Sequence, residues 1–129
     1  MTQIKIYARE SWLPASRGQM SAAIQAAVVE ALDYPADKWV HRFFPMSAND
    51  FVWGFDRSER YTIIEISLFA GRTVAAKKAL LRLLFRNLHS AVGLDPHDVE
   101  ITIFETPKEN WGIRGIPGDE LALDYTVEV

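Results

Sequence analysis

The chain has 129 residues, 49% hydrophobic and 24% charged, the composition of one globular domain with a core and too few residues for a second. It contains no cysteine, which excludes disulfides, thiolate nucleophiles and zinc–thiolate sites together and fits a reducing, cytoplasmic location. A net charge of -3 gives no general attraction to phosphate backbones, and charges interrupt every apolar stretch before the roughly 18 residues a membrane span needs, so neither nucleic acid nor a membrane is an expected partner.

Residues 3–8 alternate Ile4, Ile6 and Ala8 against Gln3, Lys5 and Tyr7, which predicts a half-buried strand. Met20, Ala23, Ile24, Ala27, Val28, Ala31 and Leu32 recur at helical spacing, predicting an amphipathic helix from Ser16 to Leu32 with Ser16 as N-cap and Pro35 just past its end. Trp39 to Phe44 reads as a second strand. A turn-rich stretch over residues 45–50 leads to Phe51-Val52-Trp53-Gly54-Phe55, a short edge strand by composition.

The same order then recurs. Tyr61 to Phe69 is a β-branched strand, Thr73 to Val92 a helix closed by Gly93, and Val99 to Glu105 another strand. Pro35-Ala36-Asp37 and Pro96-His97-Asp98 each stand between a helix end and a strand start, an echo that argues for duplication. The expected fold is α+β: one domain of two β-α-β units, residues 1–55 and 56–110, forming a four-stranded mixed sheet with both helices on one face. A tail, residues 111–129, ends in a short strand from Leu121 to Val129.

The strand Tyr61 to Phe69 carries Ile63 and Phe69 on one face and Ile64, Ile66 and Leu68 on the other. A strand apolar on both sides expects cover on both sides, so the open face is expected to meet copies of the same chain in a closed ring. The apolar, glycine-rich run Trp111 to Gly118 reads as a loop at that interface, with the final strand adding to a neighbour's sheet.

Several chemistries lack their patterns. His41, His89 and His97 show no metal-ligand spacing, Gly112, Gly115 and Gly118 follow no strand-to-helix turn, and no Gly-x-Ser-x-Gly elbow occurs, so no metal, nucleotide cofactor or hydrolase triad is expected. Lys77, Lys78, Arg82 and Arg86 lie at three-to-four spacing along one helix without interleaved aromatics, a solvated face rather than a nucleic-acid surface.

Four features carry a specific likeness: the Ala70-Gly71-Arg72 turn leading into the Lys77-Lys78 helix, Gly93-Leu94-x-Pro96-x-Asp98-Val99, Lys108-Glu109-Asn110-Trp111-Gly112, and an N-terminus at the first strand. With them the chain resembles the tautomerase superfamily, its malonate semialdehyde decarboxylase-like branch in length and motif order. Phe55-Asp56-Arg57-Ser58 and the tail through Leu123-Asp124-Tyr125 are similar to a bacterial group of that superfamily lacking the N-terminal proline. The resemblance implies a homotrimer with three pockets near the N-termini, walled partly by adjacent subunits.

In that family, removal of methionine exposes a proline whose amine acts as base, acid or nucleophile on a small carbonyl or vinyl acid. Here the position is Thr2. A small residue there permits methionine removal, which would deliver a primary amine with a reference pKa of about 7.7–8.0, able to act as a base itself or to activate the Thr2 hydroxyl. Arg72 matches the family's pocket arginine, suited to a carboxylate. The branch's second arginine, two residues earlier, is replaced by Ala70. Asp37 falls near the family's acidic residue after the first helix, one residue closer to the preceding proline. Arg42 or His41, on opposite faces of the second strand, is expected to reach the pocket, and Trp111 and Arg114, with Phe51, Trp53 and Phe55, are candidate walls. Two readings follow: a tautomerase-type enzyme working through the Thr2 amine, or a catalytically silent trimer that binds a small carboxylate or serves as a scaffold. The changes at Thr2 and Ala70 favour weak or absent proton transfer, while Arg72 preserves an anion pocket in both.

Overall fold

The alternation of apolar residues near the amino terminus does build a central strand. The computed structural model describes residues 2–121, in which β1 (Thr2–Arg9), α1 (Leu13–Leu32), β2 (His41–Met46), β3 (Thr62–Phe69), α2 (Val74–Val92) and β4 (Val99–Thr106) follow in order. The sheet order is β2-β1-β3-β4. Each β-α-β unit gives a parallel pair, β1 with β2 and β3 with β4, and the units join antiparallel through β1 and β3. Thr2 lies opposite Leu68, so the start of β1 meets the end of β3.

Period-two burial follows directly. Ile4, Ile6 and Ala8 on β1 and Ile64, Ile66 and Leu68 on β3 are buried with Met20, Ile24, Ala27 and Val28 of α1 and Leu80, Leu84 and Leu88 of α2 in one core. Each fully buried leucine or isoleucine stabilises the fold by about 1.5–3 kcal/mol. The opposite sheet face carries Lys5, Tyr7, Arg42, Phe44, Ile63, Glu65 and Phe104, with Tyr7 and Phe44 stacked at 4.8 Å and Phe104 47% exposed.

The helices differ in how they begin. Thr73 caps α2 by accepting from the Ala76 N–H at 3.1 Å. α1 starts at Leu13, not at Ser16: Pro14 presets the first turn, Trp12 takes the cap position without a side-chain bond to the helix's own N–H groups, and Ser16 falls inside the helix. At their ends both helices meet a guanidinium. Arg72 Nη1 donates to the Leu32 carbonyl at 2.7 Å, and Arg60 donates to the Val92 and Gly93 carbonyls at 2.8 and 3.2 Å, placing positive charge where the helix dipoles are negative.

Residues 51–55 form no strand. The Phe51 N–H is taken up in a turn by the Ser47 carbonyl at 3.1 Å, and the Phe51 carbonyl accepts from Arg9, leaving no ladder to join. The aromatic content that suggests a strand instead makes a cluster in which the Phe51, Trp53 and Tyr61 rings lie 5.1–5.6 Å apart and the Arg9 guanidinium sits 4.0 Å over Trp53. β2 also begins two residues later than Trp39 and runs on to Met46, accepting Pro45 because it is an edge strand.

The run Trp111 to Gly118 is more ordered than a loop. β5 (Gly112–Ile113) and β6 (Ile116–Pro117) form a hairpin whose two-residue turn, Arg114 and Gly115, has positive φ at both positions, 53° and 84°. Gly118 follows in close contact, its N–H donating to the Trp111 carbonyl at 2.6 Å, and an added Cβ would lie 2.5 Å from the Lys108 carbonyl oxygen. This segment covers Phe69, which is 1% exposed although its partners across the strand's open face are not. The final strand expected over Leu121 to Val129 lies, beyond Leu121, outside the described residues. Among the described residues no helix is long and apolar enough to cross a membrane.

Candidate active site

One end of the sheet collects the polar groups that matter. Thr2 belongs to the helix-facing set of β1 and is 3% exposed. α1 ends at Leu32, Asp33 reverses the chain with φ 49°, and Tyr34 is thereby turned inward until its hydroxyl accepts from the Thr2 nitrogen at 3.1 Å. After β3, the Ala70 N–H is held by the Thr106 carbonyl at 2.9 Å, and the turn carries Arg72 to the last carbonyls of α1. Arg72 is 7% exposed, a buried cation rather than a solvated side chain. The Thr2 nitrogen, the Tyr34 hydroxyl and the Arg72 guanidinium thus share the C-terminal end of α1. Trp111, half-buried, meets Phe69 edge-on at 4.9 Å just past β3.

The other expected residues lie on other segments. Asp37 is exposed in the connection after α1, and Arg114 is exposed on the hairpin turn. Arg42 lies on the open sheet face, donating to Gln3 Oε1 at 3.3 Å. His41 points the opposite way, into the helix layer, with Nδ1 2.6 Å from Ser21 Oγ and its ring edge-on to Trp39. Burial pushes its pKa down to about 4, and its buried Nε2 has no hydrogen-bond partner among the described residues. Phe51 and Trp53 belong to the cluster around Arg9, at the far end of β1, and Phe55 is 95% exposed.

That far end is a structural lock. Ser58 N–H donates to Asp98 Oδ1 at 2.8 Å, and Arg57 bonds Glu100 at 2.8 Å, which with the Tyr61 hydroxyl holds the Glu100 carboxyl below the usual range. A groove of about 560 Å³ lies on the outer side of α1 between Ala22, Gln25, Ala26, Val29 and Trp39. It holds none of the groups gathered at Thr2, so its size does not mark the chemistry. Among the described residues no group of three or more His, Asp or Glu is placed to hold a metal ion.

Tyr34 is the site residue that sequence reasoning passes over. The available signal is modest: a tyrosine directly after an apolar helix end is buried there, and a buried phenol needs a partner for its hydroxyl.

Two β-α-β units sharing a four-stranded mixed sheet give the fold of the tautomerases. The family model described as "Tautomerase enzyme" matches residues 38–114, and the chain belongs to that family. A 2-hydroxymuconate tautomerase of Pseudomonas putida is 42% identical over 57 residues, 44% of this chain and 90% of that protein. Among solved structures, FG41 malonate semialdehyde decarboxylase inhibited by 3-bromopropiolate superposes with a TM-score of 0.77 at 26% identity, over 84% of this chain and 86% of that one. A fused 4-OT in its symmetric trimer form superposes with a TM-score of 0.79 at 23% identity, over 91% and 96%.

Proposed function

We propose that this chain forms a homotrimer with a pocket at Thr2, Tyr34 and Arg72 for a small carboxylate or keto/enol acid, and that the Thr2 amine supports weak proton transfer or none. The observation that carries the reading is the buried Arg72 guanidinium on the Leu32 carbonyl, two residues before Tyr34, whose hydroxyl accepts from the Thr2 nitrogen. A guanidinium fork matches a carboxylate, and an amine beside it has its proton affinity lowered by the neighbouring charge and by burial, which favours the basic, neutral form. In an isomerisation the amine would take a proton from the substrate's α-carbon or enol oxygen and return it to the other atom, a closed proton cycle that needs no cofactor. The solved decarboxylase relative is inhibited by 3-bromopropiolate, itself a small carboxylate, which supports an acid ligand. Ala70 argues against decarboxylation here, since one cationic clamp of that branch is missing.

The partly apolar open sheet face supports self-association, and the fused 4-OT with the same fold forms a trimer. Asp37, Arg42 and Arg114, exposed in one chain, would join the pocket only across a subunit boundary. The alternative reading, a trimer that binds carboxylates or acts as a scaffold without chemistry, is favoured by the primary amine in place of a secondary one. Intact mass decides whether Thr2 is the terminal residue. With Met1 removed, Thr2→Pro is expected to raise the enol-to-keto rate on phenylpyruvate. A proline variant as inert as the parent, while still trimeric, would leave the non-catalytic reading standing.

A further inference from the structure

We infer that Tyr34 is a positioning residue for the N-terminal nitrogen, its hydroxyl serving as the fixed acceptor that orients the nitrogen and stabilises it when it carries a proton. The inference rests on the reading of Thr2 as the reacting terminus. It is carried by three observations: the Tyr34 hydroxyl lies 3.1 Å from the Thr2 nitrogen, both residues are buried, and the turn at Asp33 fixes the ring where it is. A strand-end nitrogen has rotational freedom about its own Cα. A single acceptor on the helix side removes it and aims the remaining donor or lone-pair directions away from the phenol.

The two polar side chains at this end of the sheet act in opposite senses. Arg72, on the turn after β3, disfavours a second cation, and burial does the same. The phenol oxygen favours the ammonium, because a hydrogen bond from a charged donor is stronger than one from the neutral amine. His41, on the start of β2 opposite Ile4, is held neutral near pH 7 by its burial, and Asp33 and Asp37 are exposed in the connection. Leu68, which faces Thr2 from β3, carries no charge. Tyr34 is therefore the group that keeps proton affinity in the amine after it has accepted a proton from substrate, so that the proton is stored on nitrogen for return and is not lost at once.

The test is the pKa of the terminal amine, read from the pH dependence of its trace acetylation by acetic anhydride in the N-terminal peptide. Tyr34→Phe keeps the buried ring and removes the hydroxyl, and it is expected to lower that pKa by about one unit. Tyr7→Phe, on the opposite sheet face, should leave it unmoved. Replacing all tyrosines by 3-fluorotyrosine weakens the phenol oxygen as an acceptor without changing shape, and should shift the pKa in the same direction by less. An unchanged or raised value in folded, Met1-free Tyr34→Phe would overturn the proposal while leaving the Thr2 and Arg72 pocket intact. Intact mass of the same samples separates the two readings: a retained Met1 would overturn both.

Discussion

Arg72 holds the end of α1 and is proposed to hold a substrate carboxylate, and substituting it should separate the two roles. Its Nη1 lies 2.7 Å from the Leu32 carbonyl with the side chain 7% exposed, a charge-assisted bond in a poorly solvated place. Bonds of that kind contribute about 1.5–3 kcal/mol, and the orphaned carbonyl adds desolvation cost, while removing a buried charge offsets part of the loss. Arg72→Met, which keeps the stem, should therefore lower stability by about 2 kcal/mol in urea unfolding. If the same guanidinium forks a substrate carboxylate, the variant should also bind pyruvate or 3-phenylpropiolate roughly 10- to 150-fold more weakly by calorimetry, the equivalent of about 1.5–3 kcal/mol. Arg72→Lys returns the charge without the planar fork, and should recover part of each loss. An Arg72→Met protein that loses stability but binds carboxylates as well as the parent would refute the pocket role and leave Arg72 as a cap on α1.

Two further outcomes are expected. His41 has its pKa lowered by burial from about 6.5 to about 4, so the unfolded chain takes up a proton in that window and the folded one does not. Its contribution is complete above about pH 6.5 and is lost as pH falls towards 4, about 1–2 kcal/mol once its partial exposure is allowed for. Unfolding of the parent and of His41→Gln at about pH 7 and about pH 4.5 should show the smaller loss in the variant, and equal losses would remove His41 as the cause. Light scattering should give a mass near three times 14.6 kDa. Deleting residues 122–129 should dissociate the trimer while the hairpin stays on Phe69, and an intact trimer after truncation would show that the tail is not an intersubunit element.

Much of the architecture is legible in the sequence, because burial on a two-layer fold is a local rule. The alternation of Ile4, Ile6 and Ala8, the 3.6-residue recurrence from Met20 to Leu32 and the Thr73 and Gly93 caps each specify an element from neighbours a few residues away. The Ala70-Gly71-Arg72 turn, Gly93-Leu94-x-Pro96-x-Asp98-Val99 and Lys108 to Gly112 carry the family likeness, and all lie within the matched residues 38–114. Local rules mislead where long-range partners compete. The Phe51 to Phe55 aromatics suggest a strand, but Arg9 and Tyr61 take the Phe51 and Trp53 rings and a turn at Ser47 takes the Phe51 N–H instead. Ser16 has a capping side chain, yet Pro14 and the docking of Trp12 on the Glu59 carbonyl start the helix a turn earlier. The Thr2–Tyr34 contact is decided by tertiary structure alone, since 32 residues separate the pair and only the packing of α1 on the sheet brings its end to the first strand. Arg72 is legible as a residue type and position, but not its burial, which depends on the carbonyls of a helix in the other half of the chain. Sequence fixes which side chains can do chemistry, because that is covalent identity. Their distances and desolvation are properties of the packed core.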